Sequence, residues 1–325
     1  MKKKREDGLG EKFFVDGHVD LPYFMMNYGH EGSFKDLQEG SFTFKKATES
    51  GVRLFCTAIY CQDLFNGQEA FRHYSEVFHF TRKSMESLRL IKNEQDLDAI
   101  KDNTEDLGTL FLLENADCLA GNTSHIEELK ENGILAVGLT HAGSNRLGDG
   151  NNIRFSQGLT DAGRDIVRLL IENGTLLDVA HLHPACFRQM LDLVEAPIIS
   201  SHTGIREVFD IQRNIDLEQA GEIFERGGIV GISLNPEMLA PEGTSEVNSV
   251  FVHLDTVVQK FGPDGVGIGS DFCGFDASIE GMEDISGIGL LVEELLNHGY
   301  GYRAVEKIMG ENWFNMYKRV LAGEG

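Results

Sequence analysis

The chain has 325 residues, 41% of them hydrophobic, which is enough to bury the core of one large α/β barrel or of two ordinary domains. A formal net charge of -23 argues against a nucleic-acid partner and against docking on an anionic membrane surface, because both would repel it. No stretch approaches the ~20 apolar residues of a membrane span, and Glu6, Asp7, Glu11 and Lys12 break up any signal-peptide core behind the basic start.

Residues 1–12 are expected to form a flexible tail. The first strand follows at Phe13–Val15 and runs into Asp16-Gly17-His18-Val19-Asp20. Side chains two apart share a face of an extended strand, so His18 and Asp20 can point together at one metal ion. A second strand is expected at Val52–Ile59 and a helix over Glu69–Ile91. The third strand, Thr109–Leu113, is closed by Glu114, a carboxylate that is costly to bury unless paired or metal-bound. A helix over Ser124–Asn132 leads to the fourth strand, Ala136–Thr140, which stops at His141.

Thr160 is placed to cap a helix over Asp161–Asn173, and Gly174 to end it. The fifth strand, Leu176–Ala180, stops at His181; Pro184 then opens a helix reaching Val194. The sixth strand, Ile198–Ser201, stops at His202. A helix over Leu217–Arg226, a seventh strand at Ile229–Leu234, a helix over Ser249–Phe261 and an eighth strand at Val266–Gly269 complete the alternation, with Asp271 just past the last strand.

Eight strands alternating with helices over about 300 residues predict a (β/α)8 TIM-type barrel forming a single domain. An open doubly wound sheet is the competitor, but no GxGxxG follows the first strand and there is no Walker A loop. Gly265-Val266-Gly267-Ile268-Gly269 has the wrong spacing and lies inside a strand. In a barrel all strand C-termini open on one face, where sites are built. His18, Asp20, Glu114, His141, His181, His202 and Asp271 would therefore converge. Singly, each reads as a polar strand end; together they read as a metal site. Imidazoles and carboxylates suit Zn²⁺, with Mn²⁺, Co²⁺ or Fe²⁺ as alternatives. His30, His73, His79, His125, His253 and His298 read as surface or helix-face residues, and His183 is open between ligand and helix start. The five cysteines (Cys56, Cys61, Cys118, Cys186, Cys273) are odd in number and lack CxxC pairing. That fits a reducing, cytoplasmic setting better than a disulfide framework.

At this point the residues resemble the membrane (renal-type) dipeptidases, peptidase family M19, within the metal-dependent amidohydrolase barrels. The matching stretches are Asp16-Gly17-His18-Val19-Asp20-Leu21-Pro22, Leu139-Thr140-His141, Gly158-Leu159-Thr160 with Gly163, and Asp178-Val179-Ala180-His181. They continue with Ala196-Pro197-Ile198-Ile199-Ser200-Ser201-His202, Gln212-Arg213-Asn214, Gly267-Ile268-Gly269-Ser270-Asp271-Phe272, Glu283-Asp284-Ile285-Ser286 and Gly310-Glu311-Asn312.

The resemblance implies a dipeptidase with two zinc ions per chain. His18 and Asp20 would hold one ion, His181 and His202 the other, and Glu114 would bridge them. It further implies that a hydroxide shared by the ions attacks the peptide carbon, with His141 beside the carbonyl, Arg213 on the substrate carboxylate and Asp271 handling protons. A D-residue at the C-terminal position of the dipeptide is tolerated in the family. Two positions depart from the family pattern: Asp271-Phe272-Cys273-Gly274 lacks a second aspartate, and Asn235 stands where a tyrosine associated with the substrate carboxylate is common. Neither the disulfides of secreted mammalian members nor a lipid anchor is expected of this chain. The expectation is a soluble bacterial-type enzyme with a small dipeptide partner, compatible with a homodimer. The alternatives are an amidohydrolase acting on another amide, an N-acyl amino acid or a lactone, and a binding protein that has lost turnover.

Overall fold

A computed structural model describes residues 13–103 and 106–323; the expected tail at residues 1–12 lies outside the described residues. Eight parallel strands carry the architecture: β1 (Phe14–Val19), β2 (Val52–Tyr60), β3 (Gly108–Glu114), β4 (Ile134–Gly138), β5 (Leu176–Asp178), β6 (Ile198–Thr203), β7 (Ile229–Ile232) and β8 (Val266–Ile268). Each pairs with the next in chain order, and β8 pairs back on β1 through Ile268 and Asp16, which closes the barrel. Nearly every strand residue is buried, as expected of a parallel sheet covered by helices.

All eight expected strands are present, and the differences lie in the connections. The helix expected over Glu69–Ile91 runs only over Ala70–Ser84. The chain then turns, and Arg89–Leu90 adds a two-residue strand beside the start of β3. Leu90 and Ile91 extend the apolar pattern because they pack in the core, not because the helix continues. Over Ser124–Asn132 there is one 3₁₀ turn, Thr123–His125, followed by turns in which Ile126 and Leu129 are buried. Apolar spacing alone does not separate such a segment from a helix.

The end of the barrel opposite the strand C-termini is plugged from the last helix, Asn312–Leu321. Trp313 is fully buried there, and its indole Nε1 donates to the Ile268 carbonyl at 2.9 Å. Glycines on three strands make its room. A Cβ on Gly17 or Gly267 would lie 2.5 or 2.4 Å from the indole, and one on Gly231 would lie 3.1 Å away. Asn312 ties the same helix to β8 by donating to the Val266 and Pro263 carbonyls. The Gly310-Glu311-Asn312 stretch is thus structural. All five cysteines are free, and among the described residues no helix is long and apolar enough to cross a membrane.

Candidate metal centre

The strand C-termini bring the sequence-selected residues to one place. His18 lies in β1 and Asp20 just after it; Glu114 ends β3; His202 lies in β6. His141 and His181 each sit three residues beyond the strands that carry them, and Asp271 follows β8 by a similar step. His181 and Asp271 have left-handed backbone (φ 63° and 65°), as do Asn115 and Cys273 at the same mouth. Left-handed non-glycine residues are uncommon and cluster where surrounding structure holds them for function.

Glu114 stands at the centre. Its Oε1 is 3.2 Å from His181 Nε2 and 3.9 Å from His202 Nε2, whereas its Oε2 faces His18 Nε2 at 3.9 Å. His18 Nε2 also lies 3.5 Å from Asp20 Oδ2. Three donor sets result, each with ligand atoms within 4.8 Å of one another: His18 with Asp20 and Asp271, Glu114 with His181 and His202, and His18 with His202 and Asp178. His18, His202, Asp20 and Glu114 are buried, and His181 and His141 open toward the mouth.

The charges fit cations. His18 Nε2 and Asp20 Oδ1 are buried with no hydrogen-bond partner among the described residues. His181 Nε2 and His202 Nε2 face each other at 3.0 Å. Burial holds both of these imidazoles well below their ordinary pKa, helped by the Arg213 charge, so they are neutral and able to act as ligands. Burial alone would depress His18 too, but Asp20, Glu114 and Asp271 outweigh it and push it up to about 10: the spot attracts positive charge. Burial alone would raise Glu114, yet His181 and His18 hold it well below the usual carboxylate range. Asp271 goes the other way, pushed well up by burial and by the charge of Asp20.

Asp63, Asn151 and Ser201, which support the ligands, are not singled out by the sequence, whereas Asn235 and Cys273 are. Asp63, three residues past β2, faces His141 Nδ1 with Oδ2 at 3.1 Å and also accepts the Gly143 N–H. Asn151 Oδ1 lies 3.1 Å from His181 Nδ1. Ser201 Oγ lies between His18 Nδ1 (3.1 Å) and His202 Nδ1 (2.9 Å) and donates to Asp178 Oδ2 at 2.6 Å. Asn235 is buried with its amide NH₂ on Asp271 Oδ2 at 3.0 Å and its Oδ1 on the Glu237 N–H. Cys273 turns toward Ser41, whose Oγ is 3.7 Å from its sulfur. His183 is no part of the cluster: its Nδ1 accepts the Ala185 N–H and caps the helix Pro184–Leu191.

Arg213 leans over the second donor set. Its Nη2 donates to the His202 carbonyl at 3.0 Å and lies 3.3 Å from His181 Nε2. Its neighbours clamp the loop that aims it. Gln212 donates to the Asn151 and Ile153 carbonyls, and Asn214 donates to those of Phe209 and Met238.

The family model of the membrane dipeptidases, peptidase family M19, matches residues 4–322. The chain belongs to this family. Among M19 relatives, mouse dipeptidase 3 is 25% identical over 319 residues, 94% of this chain and 64% of that protein. The chain thus spans just under two thirds of the length of that relative. Two solved structures share the fold. The dipeptidase AC, an M19 metallopeptidase, superposes with a TM-score of 0.87 at 21% identity, covering 96% of this chain and 99% of that one. A metallopeptidase from Rhodobacter sphaeroides, liganded with a phosphinate mimic of the dipeptide L-Ala-D-Ala, gives 0.85 at 20% identity, covering 96% and 100%. Membership in this metallopeptidase family and the His, Asp and Glu clusters together imply a metal cofactor.

Proposed function

We propose that this chain is a dipeptidase that works with two divalent ions, zinc first among them. The observation that carries the reading is Glu114, whose two oxygens face opposite ligand sets, as a carboxylate shared by two cations must. His18 and Asp20 would hold one ion, His181 and His202 the other. Imidazole and carboxylate donors are those zinc takes, and the buried, unpartnered His18 Nε2 and Asp20 Oδ1 are atoms a cation would satisfy. Ions bound there would lower the pKa of a coordinated water and polarise the scissile carbonyl.

The chain's own residues supply the rest. Arg213 grips the substrate's terminal carboxylate, for which its planar fork is suited; this selects dipeptides over longer chains. His141, held through Nδ1 by Asp63, presents Nε2 to the carbonyl oxygen and stabilises charge developing there. Asp271 has Oδ2 fixed by Asn235, so Oδ1 is the atom that accepts a proton from the attacking water and passes it to the leaving amine.

Dipeptides with a D-residue at the C-terminal position belong to the proposed range, in keeping with the mimic bound by the Rhodobacter protein. The test is turnover by the zinc-loaded chain of a panel of L,L- and L,D-dipeptides. Hydrolysis of several members supports the reading, and no turnover of any with metal bound refutes it. A second reading keeps the site and exchanges the substrate for another amide, an N-acyl amino acid or a lactone. It draws on Asn235, whose amide is committed to Asp271, at the position where a tyrosine associated with the substrate carboxylate is common. Preference for any of these over dipeptides in the same assay would establish it.

A further inference from the structure

Resting on the two-ion reading, we infer that the Ser201 hydroxyl, held by Asp178, is a single positioning group shared by both ion positions. It sets the tautomer of His18 on one side and of His202 on the other.

A serine hydroxyl has one proton and two lone pairs. Asp178 Oδ1 already accepts the Ser201 and Ala180 N–H groups, at 2.8 and 3.1 Å. Asp178 Oδ2 then takes the Ser201 hydroxyl proton at 2.6 Å. Only the lone pairs of Oγ are left for the two histidines, at 3.1 Å to His18 Nδ1 and 2.9 Å to His202 Nδ1. Each histidine must therefore carry its proton on Nδ1. Nε2 is then the ring nitrogen each histidine would offer to a cation, which at His18 would displace the proton that Asp20 and Glu114 favour there, and both Nε2 atoms point into the ligand sets around Glu114.

A metal-ligating histidine usually has a partner of its own for the second ring nitrogen, and losing that partner costs about 10–100-fold in metal affinity. Here one hydroxyl serves two histidines from different ligand sets. Ser201, Asp178, His18 and His202 are all buried, so water does not readily substitute for the missing partner. A single atom thus links the two positions.

Asp178→Asn makes a sharper case. The backbone N–H groups of Ser201 and Ala180 require an acceptor at the Oδ1 place, so the amide oxygen must sit there and the NH₂ must face Ser201 Oγ. The hydroxyl then accepts from the amide and has to turn its proton toward one histidine. That histidine is forced to protonate Nε2, while the other keeps the ligand tautomer.

The test is competition titration of the metal-free chain with Zn²⁺ against a chromophoric chelator, with folding of each variant checked by circular dichroism. Wild type and Ser200→Ala are expected to take up two zinc ions with the same affinities, because Ser200 Oγ is buried with no hydrogen-bond partner among the described residues. Ser201→Ala should weaken both positions by about 10–100-fold, and Asp178→Asn should weaken one and spare the other. Unchanged binding by Ser201→Ala, or loss at a single position, overturns the inference. Should Ser201→Ala fail to fold, Asp178→Asn decides: no loss at either position, or the same fold-loss at both relative to wild type, overturns the inference. Failure of wild type to bind two zinc ions overturns the two-ion reading instead.

Discussion

Replacing Arg213 with methionine separates a carboxylate-selecting peptidase from a general amidase. Methionine keeps an unbranched side chain of similar reach and removes the guanidinium. One donor, Nη2, is spent on the His202 carbonyl. Nε is buried with no partner among the described residues, so it and Nη1 are the donors left for a substrate carboxylate. Hydrogen bonds to charged groups contribute about 1.5–3 kcal/mol each. Arg213 is only half-buried, so the low end applies, and two such bonds come to about 3 kcal/mol. At 1.36 kcal/mol per decade that is a loss of about 100–200-fold in kcat/KM, carried mainly by KM. The assay compares a dipeptide with its C-terminal amide on both proteins, at equal metal content. Wild type should prefer the free acid, and Arg213→Met should lose that preference while changing little on the amide. An equal loss on both substrates would show that Arg213 acts on the site's structure and not on the carboxylate.

Other outcomes are equally specific. His141→Leu should lower kcat about 10²–10³-fold with little change in zinc content, as removal of an oxyanion donor does; a variant that loses its metal instead makes His141 a ligand. Asp63→Asn should reduce kcat by a smaller factor while leaving KM within a few-fold, and unchanged kcat would remove Asp63 from the account. Gly267→Ala places a Cβ 2.4 Å from the Trp313 indole nitrogen, so denaturant unfolding should show a loss of about 1–3 kcal/mol; wild-type stability would mean that the indole moves freely. His253 is buried, with Nδ1 accepting the Ile205 N–H and Nε2 donating to the Leu239 carbonyl, and burial lowers its pKa from 6.5. The unfolded chain therefore binds a proton that the folded form refuses. The associated stability is intact above pH 6.5 and falls as pH drops toward the lower folded value. Wild type should lose more stability than His253→Gln between pH 7 and 5, and a constant gap between the two contradicts this.

The barrel was legible because each strand is a short apolar run, and the ligand candidates because each lies at or within a few residues of the end of such a run. What stayed hidden depends on three-dimensional neighbours. A serine before a histidine is unremarkable in one dimension, and Ser201 gains its role only when β5 and β6 pair and set Asp178 beside it. Asp63 lies 78 residues from His141 and beyond its strand, so no spacing relates them. The one available sign was that the second strand carried no selected residue at its end. His73 and His253 lie on helices as expected but are buried, since helical position does not say what packs above the face. The overlong helix after Glu69 and the absent one over Ser124–Asn132 share a cause: both segments bury apolar residues at helical spacing without the backbone continuing as a helix.

The central claim, two cations bridged by Glu114, is tested most directly by diffraction from zinc-loaded crystals with anomalous data at the zinc edge. The account predicts two peaks about 3.5–4 Å apart, flanking the Glu114 carboxylate, one against His18 and Asp20 and the other against His181 and His202. A single peak, or peaks that leave Glu114 uncoordinated, would contradict it.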